Sequence, residues 1–117
     1  MNGELAPGVD LRGVNLIREW LDAEAGQGGD RDKQMMLRVL KITEEAGEVA
    51  EALHGALGGN PRKGHSHTWE DVEKELVDVA VTTLVALSTL NPEGWEKALG
   101  GRLQHLVGRI PGAGTEG

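Results

Sequence analysis

Apolar residues recur along most of this chain at spacings of three and four, the pattern of helices that turn one face to a core. The first such segment runs from about Asp10 to Ala25 and follows the breaker pair Pro7–Gly8. It places Leu16, Ile17, Trp20 and Leu21 on one face. A glycine-rich stretch over 26–29 ends it. Asp30 or Asp32 is placed to cap a second helix, expected over about Asp32 to Leu57. Its apolar stripe takes in Met36, Val39, Leu40, Ala46, Val49, Ala50, Leu53 and Leu57. Strong breakers bound a loop from Gly58 to His67. Thr68 then offers an N-cap for a third helix that reaches about Leu90, where Asn91–Pro92 stops it. A fourth, weaker helix is expected from Trp95 to Ile110, interrupted at Gly100 and Gly101.

The third segment carries a clue to assembly. From Val77 to Leu90 its only charged residue is Asp78, while Val79, Ala80, Val81, Leu84, Val85 and Leu87 point in nearly every direction about the axis. A helix apolar all round is buried all round, and a bundle of 117 residues has few places to do that. A homodimer or homotetramer is the simplest resolution.

Composition narrows the class. The length suits one domain, a helical unit over 10–110 between a flexible start, 1–9, and a disordered tail, 111–117. There is no Cys, so disulfides and thiolate metal sites are excluded. With no Phe or Tyr and three Trp, the core is built from Leu, Val, Ala, Ile and Met. That favours an all-α bundle of closely packed helices over a β-rich core. No apolar run is long enough to span a membrane, and the opening residues lack a signal peptide's basic and apolar regions. A cytoplasmic location with no membrane partner is therefore expected. The net charge of -7 argues against binding polymeric nucleic acid. It leaves room for a small phosphorylated ligand, because a bound metal reverses the local sign. No Walker A loop, G-x-G-x-x-G or Ser/Cys triad is present, which removes P-loop and Rossmann chemistry.

Two carboxylate clusters carry the chemistry: E-E-A-G-E over Glu44 to Glu48, and E-L-V-D over Glu75 to Asp78. Glu45 with Glu48, and Glu75 with Asp78, stand three apart and share a helix face. The span between the clusters is long enough to finish one helix and bring a second back beside it. Four acids facing each other repel, and a divalent cation relieves the repulsion; hard oxygen ligands suit Mg²⁺, with Mn²⁺ as a substitute. Charged helix faces are ordinarily just solvated, and the helical projection sets Glu45, Glu48 and Asp78 away from the main apolar stripes. Three features weigh against that. Asp71, Glu75, Asp78 and Thr82 line one narrow face; Asp78 sits in an otherwise uncharged helix; and Ala46, Gly47, Ala50 and Ala52 permit close helix approach beside the acids.

Other groupings are less specific. Glu51 and His54 form the E-x-x-H of di-iron bundles, which use it twice; here it occurs once, and His54 reads as a surface or packing residue. Arg62 and Lys63 have the chemistry to hold phosphates, although P-R-K-G is also an ordinary polar turn. His65 and His67 have metal-compatible spacing, yet an exposed loop pair of this kind usually binds nothing. Trp20 has a face on which a base could stack, and on an amphipathic helix it is equally a core residue.

K-I-T-E-E-A-G-E-V-A-E-A-L followed by W-E-D-V-E-K-E-L-V-D-V-A-V resembles the all-α nucleotide pyrophosphohydrolases of the MazG type, whose signature is E-E-x-x-E, a loop, then E-x-x-D. The resemblance spans roughly Met36 to Leu90. It implies a four-helix MazG-type bundle, oligomeric through the carboxylate-bearing helices. It also implies that Glu45, Glu48, Glu75 and Asp78 hold the Mg²⁺ of a nucleoside triphosphate while water attacks the α-phosphorus, releasing monophosphate and pyrophosphate. Glu44 or one of the ligands, such as Glu45, would take the proton, and Lys41, Arg62 and Lys63 would steady the phosphates. Two alternatives stand beside it: phosphoribosyl-ATP pyrophosphohydrolysis on the same helical plan, and a non-catalytic metal- or nucleotide-sensing module. The chain departs from the pattern in its Gly-rich fourth helix, its scarcity of aromatics, and the lack of the Asn and Lys that many relatives carry after the second acidic motif.

Overall fold

The computed structural model describes residues 5, 7–26 and 28–113. They form four helices: α1 (Arg12–Ala25), α2 (Arg31–Ala56), α3 (Trp69–Leu90) and α4 (Trp95–Gly108). The all-α expectation holds, with only an isolated Asn60–Gly64 bridge and no strand among the described residues. Local chemistry explains the starts. The Asp30 side chain accepts from the Lys33 amide at 3.2 Å. At α3 a reciprocal capping box forms: the Asp71 amide donates to Thr68 Oγ1 at 3.1 Å, and the Thr68 amide to Asp71 Oδ2 at 2.9 Å. Helix α1 begins slightly later than expected, because Asp10 stays outside it and accepts from the Arg12 amide and guanidinium. Gly100 and Gly101 do not interrupt α4.

Helices α2 and α3 form an antiparallel pair, and α1 packs on α3. The end of α2 meets the start of α3 through small residues, with Ala52, Ala56 and Val72 buried together. At the other end of the pair Val14, Val85 and Trp95 form the larger core cluster, against which Leu11, Leu21, Val81, Leu84, Leu87 and Leu99 pack. Trp95 is 1% exposed, and its indole N–H donates to Asn15 Oδ1 at 3.0 Å. Arg38 ties three helices, pairing with Asp22 of α1 at 2.8 Å and donating to Thr89 Oγ1 of α3 at 2.9 Å. The loop after α2 is seated by His65, whose Nδ1 lies 2.9 Å from the Ala56 carbonyl.

Two burial expectations are corrected. The apolar stripe expected to face the core along the second helix is largely exposed: Met36, Val39, Leu40, Leu53 and Leu57 all lie on the surface, while the buried residues are Ala52, Gly55 and Ala56. Close approach of α3 selects the small side chains, and the large ones are left outside. The third helix is likewise not buried all round within one chain. Val72, Val85, Ala86 and Ser88 are buried, whereas Leu76, Val77 and Leu90 are exposed. Trp20 is 61% exposed.

The radius of gyration is 17.9 Å, against about 13 Å for a compact domain of this length. Much of the difference reflects α4, which touches the rest mainly at its start; every residue from Gly101 to Ile110 is exposed. Residues 111–113 close in a turn. The expectations for the flexible start and the tail fall partly on 1–4, 6 and 114–117, outside the described residues. No helix among the described residues is long and apolar enough to cross a membrane.

Candidate metal centre

The face of α2 that carries Lys41, Glu45 and Glu48 turns toward α3, and the antiparallel pairing sets it beside Glu75 and Asp78. Glu45, Glu48 and Glu75 each bring a carboxylate oxygen within 4.8 Å of the other two. Glu45 and Glu75 are mostly enclosed, with side chains 13% and 17% exposed, while Glu48 is on the open side. Glu48 feels the crowding. Its pKa is raised, first by the charge of Glu45, then by that of Glu75, with desolvation and Asp78 adding to them and Lys41 opposing. The four acids singled out in the sequence thus share one electrostatic neighbourhood, although only three of them converge.

Asp78 stands slightly apart, since Lys74, one turn earlier on α3, donates to its Oδ2 at 3.2 Å and also lies 3.6 Å from Glu75. These acids hold the Lys74 ammonium pKa above its ordinary value, chiefly through the hydrogen bond to Asp78. On α2, Lys41 lies 3.7 Å from Glu45. Two lysines therefore supply part of the positive charge that the cluster calls for, and the trio keeps three hard oxygen donors from two helices, a donor set that fits Mg²⁺.

Lys41 also borders a small cleft of about 120 Å³ between α1, α2 and α3, lined by Ile17, Leu21, Arg38, Lys41, Val81, Thr82 and Val85. The cleft is apolar in its walls, with two cations at its edge, and lies one helical turn from the acids on both α2 and α3. Lys74 and Arg38 were not singled out from the sequence. The signal for each was present: Lys74 precedes Asp78 by four, and Arg38 precedes Lys41 by three and Glu45 by seven, on the same helical face.

The remaining expected residues lie elsewhere. Glu44 is exposed, next in the chain to Glu45 but outside the convergent trio. Arg62 and Lys63 are exposed in the loop, where their amides bond to the Asn60 side chain and carbonyl. Trp20 is on the outer surface of α1 and does not line the cleft. Asp71 is held in the α3 capping box, whose hydrogen bonds from Thr68 lower its pKa. His54, His65 and His67 lie close beside Gly59, Gly58 and Gly55 respectively, and no metal-compatible grouping among the described residues includes them. Comparison with family models, with curated proteins and with solved structures finds no match for this chain.

Proposed function

We propose that this chain is a Mg²⁺-dependent nucleoside triphosphate pyrophosphohydrolase of the MazG-like kind, working as a homo-oligomer in nucleotide-pool housekeeping. The observation that supports it is the convergence of Glu45, Glu48 and Glu75 from two antiparallel helices onto one point. Asp78 stands beside them and is available as a fourth ligand if Lys74 turns away. Mg²⁺ at this point would neutralise phosphate charge and make water more acidic. Glu45, or Glu44 next to it, would accept the proton as the water oxygen bonds to the α-phosphorus. The bridging P–O bond breaks and its electron pair leaves with pyrophosphate. Lys41, between the acids and the cleft, meets the phosphates, and Arg62 and Lys63 approach from the loop.

The test is pyrophosphate release from a panel of canonical and modified (deoxy)nucleoside triphosphates, with Mg²⁺ and with EDTA. Mg²⁺-dependent release with the matching monophosphate is expected, and Glu48→Ala combined with Asp78→Ala should abolish it. A folded protein that binds Mg²⁺ but releases nothing across the panel would overturn the reading. Release from phosphoribosyl-ATP alone would move the substrate to that compound.

A further inference from the structure

The surface that α1 leaves uncovered on the α2/α3 pair is apolar. Met35, Val39 and Ile42 from α2, with Ala86, Leu87 and Leu90 from α3, line an open groove of about 210 Å³. These positions are turned about 100° around each helix from the acid-bearing face, so the groove is separate from the candidate metal centre. The second unpartnered feature is α4. Leu103, Leu106, Val107 and Ile110 form an exposed i, i+3, i+4, i+7 row along it and just beyond its end. That is the anchor spacing of a helix that lies in an apolar groove.

The two features match in length and in apolar character. Leu103 to Ile110, Met35 to Ile42 and Thr83 to Leu90 all cover the same seven-residue step, about 10 Å of helix. Helix α4 carries Glu96, Lys97 and Arg102, with Arg109 at its C-cap, while its Leu103, Leu106 and Val107 stay exposed; the groove is lined by uncharged side chains. The total accessible surface is 8785 Å², against roughly 6,200 Å² for a compact monomer of this mass. The surplus exceeds the roughly 800 Å² per partner that a standard interface buries.

We infer that the outer α2/α3 groove is a self-association surface occupied by α4 of a second copy, with the exchange made reciprocally across a two-fold axis. This deepens the homo-oligomer part of the proposed function and rests on it. It specifies which element crosses between protomers and where it lands.

The absence of Cys makes the test direct. Val39→Cys and Val107→Cys are introduced in separate full-length chains, mixed, allowed to exchange and treated with a short bismaleimide, beside light-scattering masses of the wild type. The expected result is a wild-type mass of at least twice the chain's and a cross-linked pair several-fold more abundant in the mixture than in either variant alone. Leu103→Glu with Val107→Glu should shift the protein to monomer while circular dichroism keeps its helix content. A monomeric wild type would overturn both the inference and the oligomer reading. A stable oligomer without the mixed cross-link would overturn the inference alone. A monomer that sediments with anionic phosphatidylserine vesicles through α4 would likewise overturn both, and would assign the apolar row to a membrane surface. None of these readouts depends on metal or turnover, so failure of the pyrophosphohydrolase reading is scored separately.

Discussion

Glu48 concentrates the electrostatic problem of this molecule in one side chain. Its carboxylate faces Glu45, Glu75 and Asp78 with only Lys41 to oppose them, and its pKa is raised. The sign of the consequence follows from linkage. The folded state holds the Glu48 proton to higher pH than the unfolded state does, so in metal-free protein the charged form destabilises the fold above that folded pKa. The destabilisation disappears as the pH falls through the window down to the unfolded value. Asp71 acts in the opposite direction. Its lowered pKa gives stability that is present above the unfolded value and lost as the pH falls through the folded one. Comparison with Glu48→Gln isolates the first effect. In EDTA the variant should melt above the wild type at neutral pH, and the gap should close as the pH drops through the carboxylate range. Equal melting curves at every pH would show that the crowding is without consequence. The i, i+3 spacing made Glu45, Glu48 and Glu75 legible as candidates in the sequence. The position of Asp78 apart from the trio is legible too, in its i, i+4 relation to Lys74.

The helices owe their boundaries to signals a few residues long, which is why sequence and structure agree on them closely. The capping box of Thr68 and Asp71 satisfies two amides at the start of α3, the helix that touches each of the other three. Thr68→Ala should cost about 1 kcal/mol and lower the melting temperature by a few degrees, read by thermal circular dichroism; no shift would place the helix start elsewhere. Which face of a helix turns inward is less local. The apolar stripe of α2, read by period alone, pointed to Met36, Val39, Leu40, Leu53 and Leu57 as core, and these are exposed. Periodicity identifies a face but not its partner. The small residues Ala52, Gly55 and Ala56 decided the α2/α3 contact because they let two backbones approach.

Taken whole, the chain is more open than its length requires, with an apolar groove on one side and a projecting amphipathic helix at one end. Among the described residues the large hydrophobic side chains lie mainly on the surface, including Met36, Leu37, Leu40, Leu76, Val77, Leu103 and Ile110. Such patches mark interaction surfaces in soluble proteins. If self-association covers them, folding and assembly are linked, and the melting temperature should rise with protein concentration. A melting temperature unchanged over a hundredfold dilution would instead describe a self-sufficient monomer. The apolar character of the third segment anticipated unmet burial; it did not show that α2 and α4 share in it, because that depends on where α1 sits.

The sequence by itself determined the all-α class, the four helices with their caps and breakers, and the two acid pairs, because turns, caps and i, i+3 neighbours are set within a few residues of chain. Tertiary structure alone decided that Glu75 meets Glu45 and Glu48 across the α2/α3 pair, that a cleft opens beside Lys41, and that the large apolar residues of α2 and α4 stay outside. Those outcomes depend on how closely the helices approach and on which side α1 covers, and residues far apart in the chain set both.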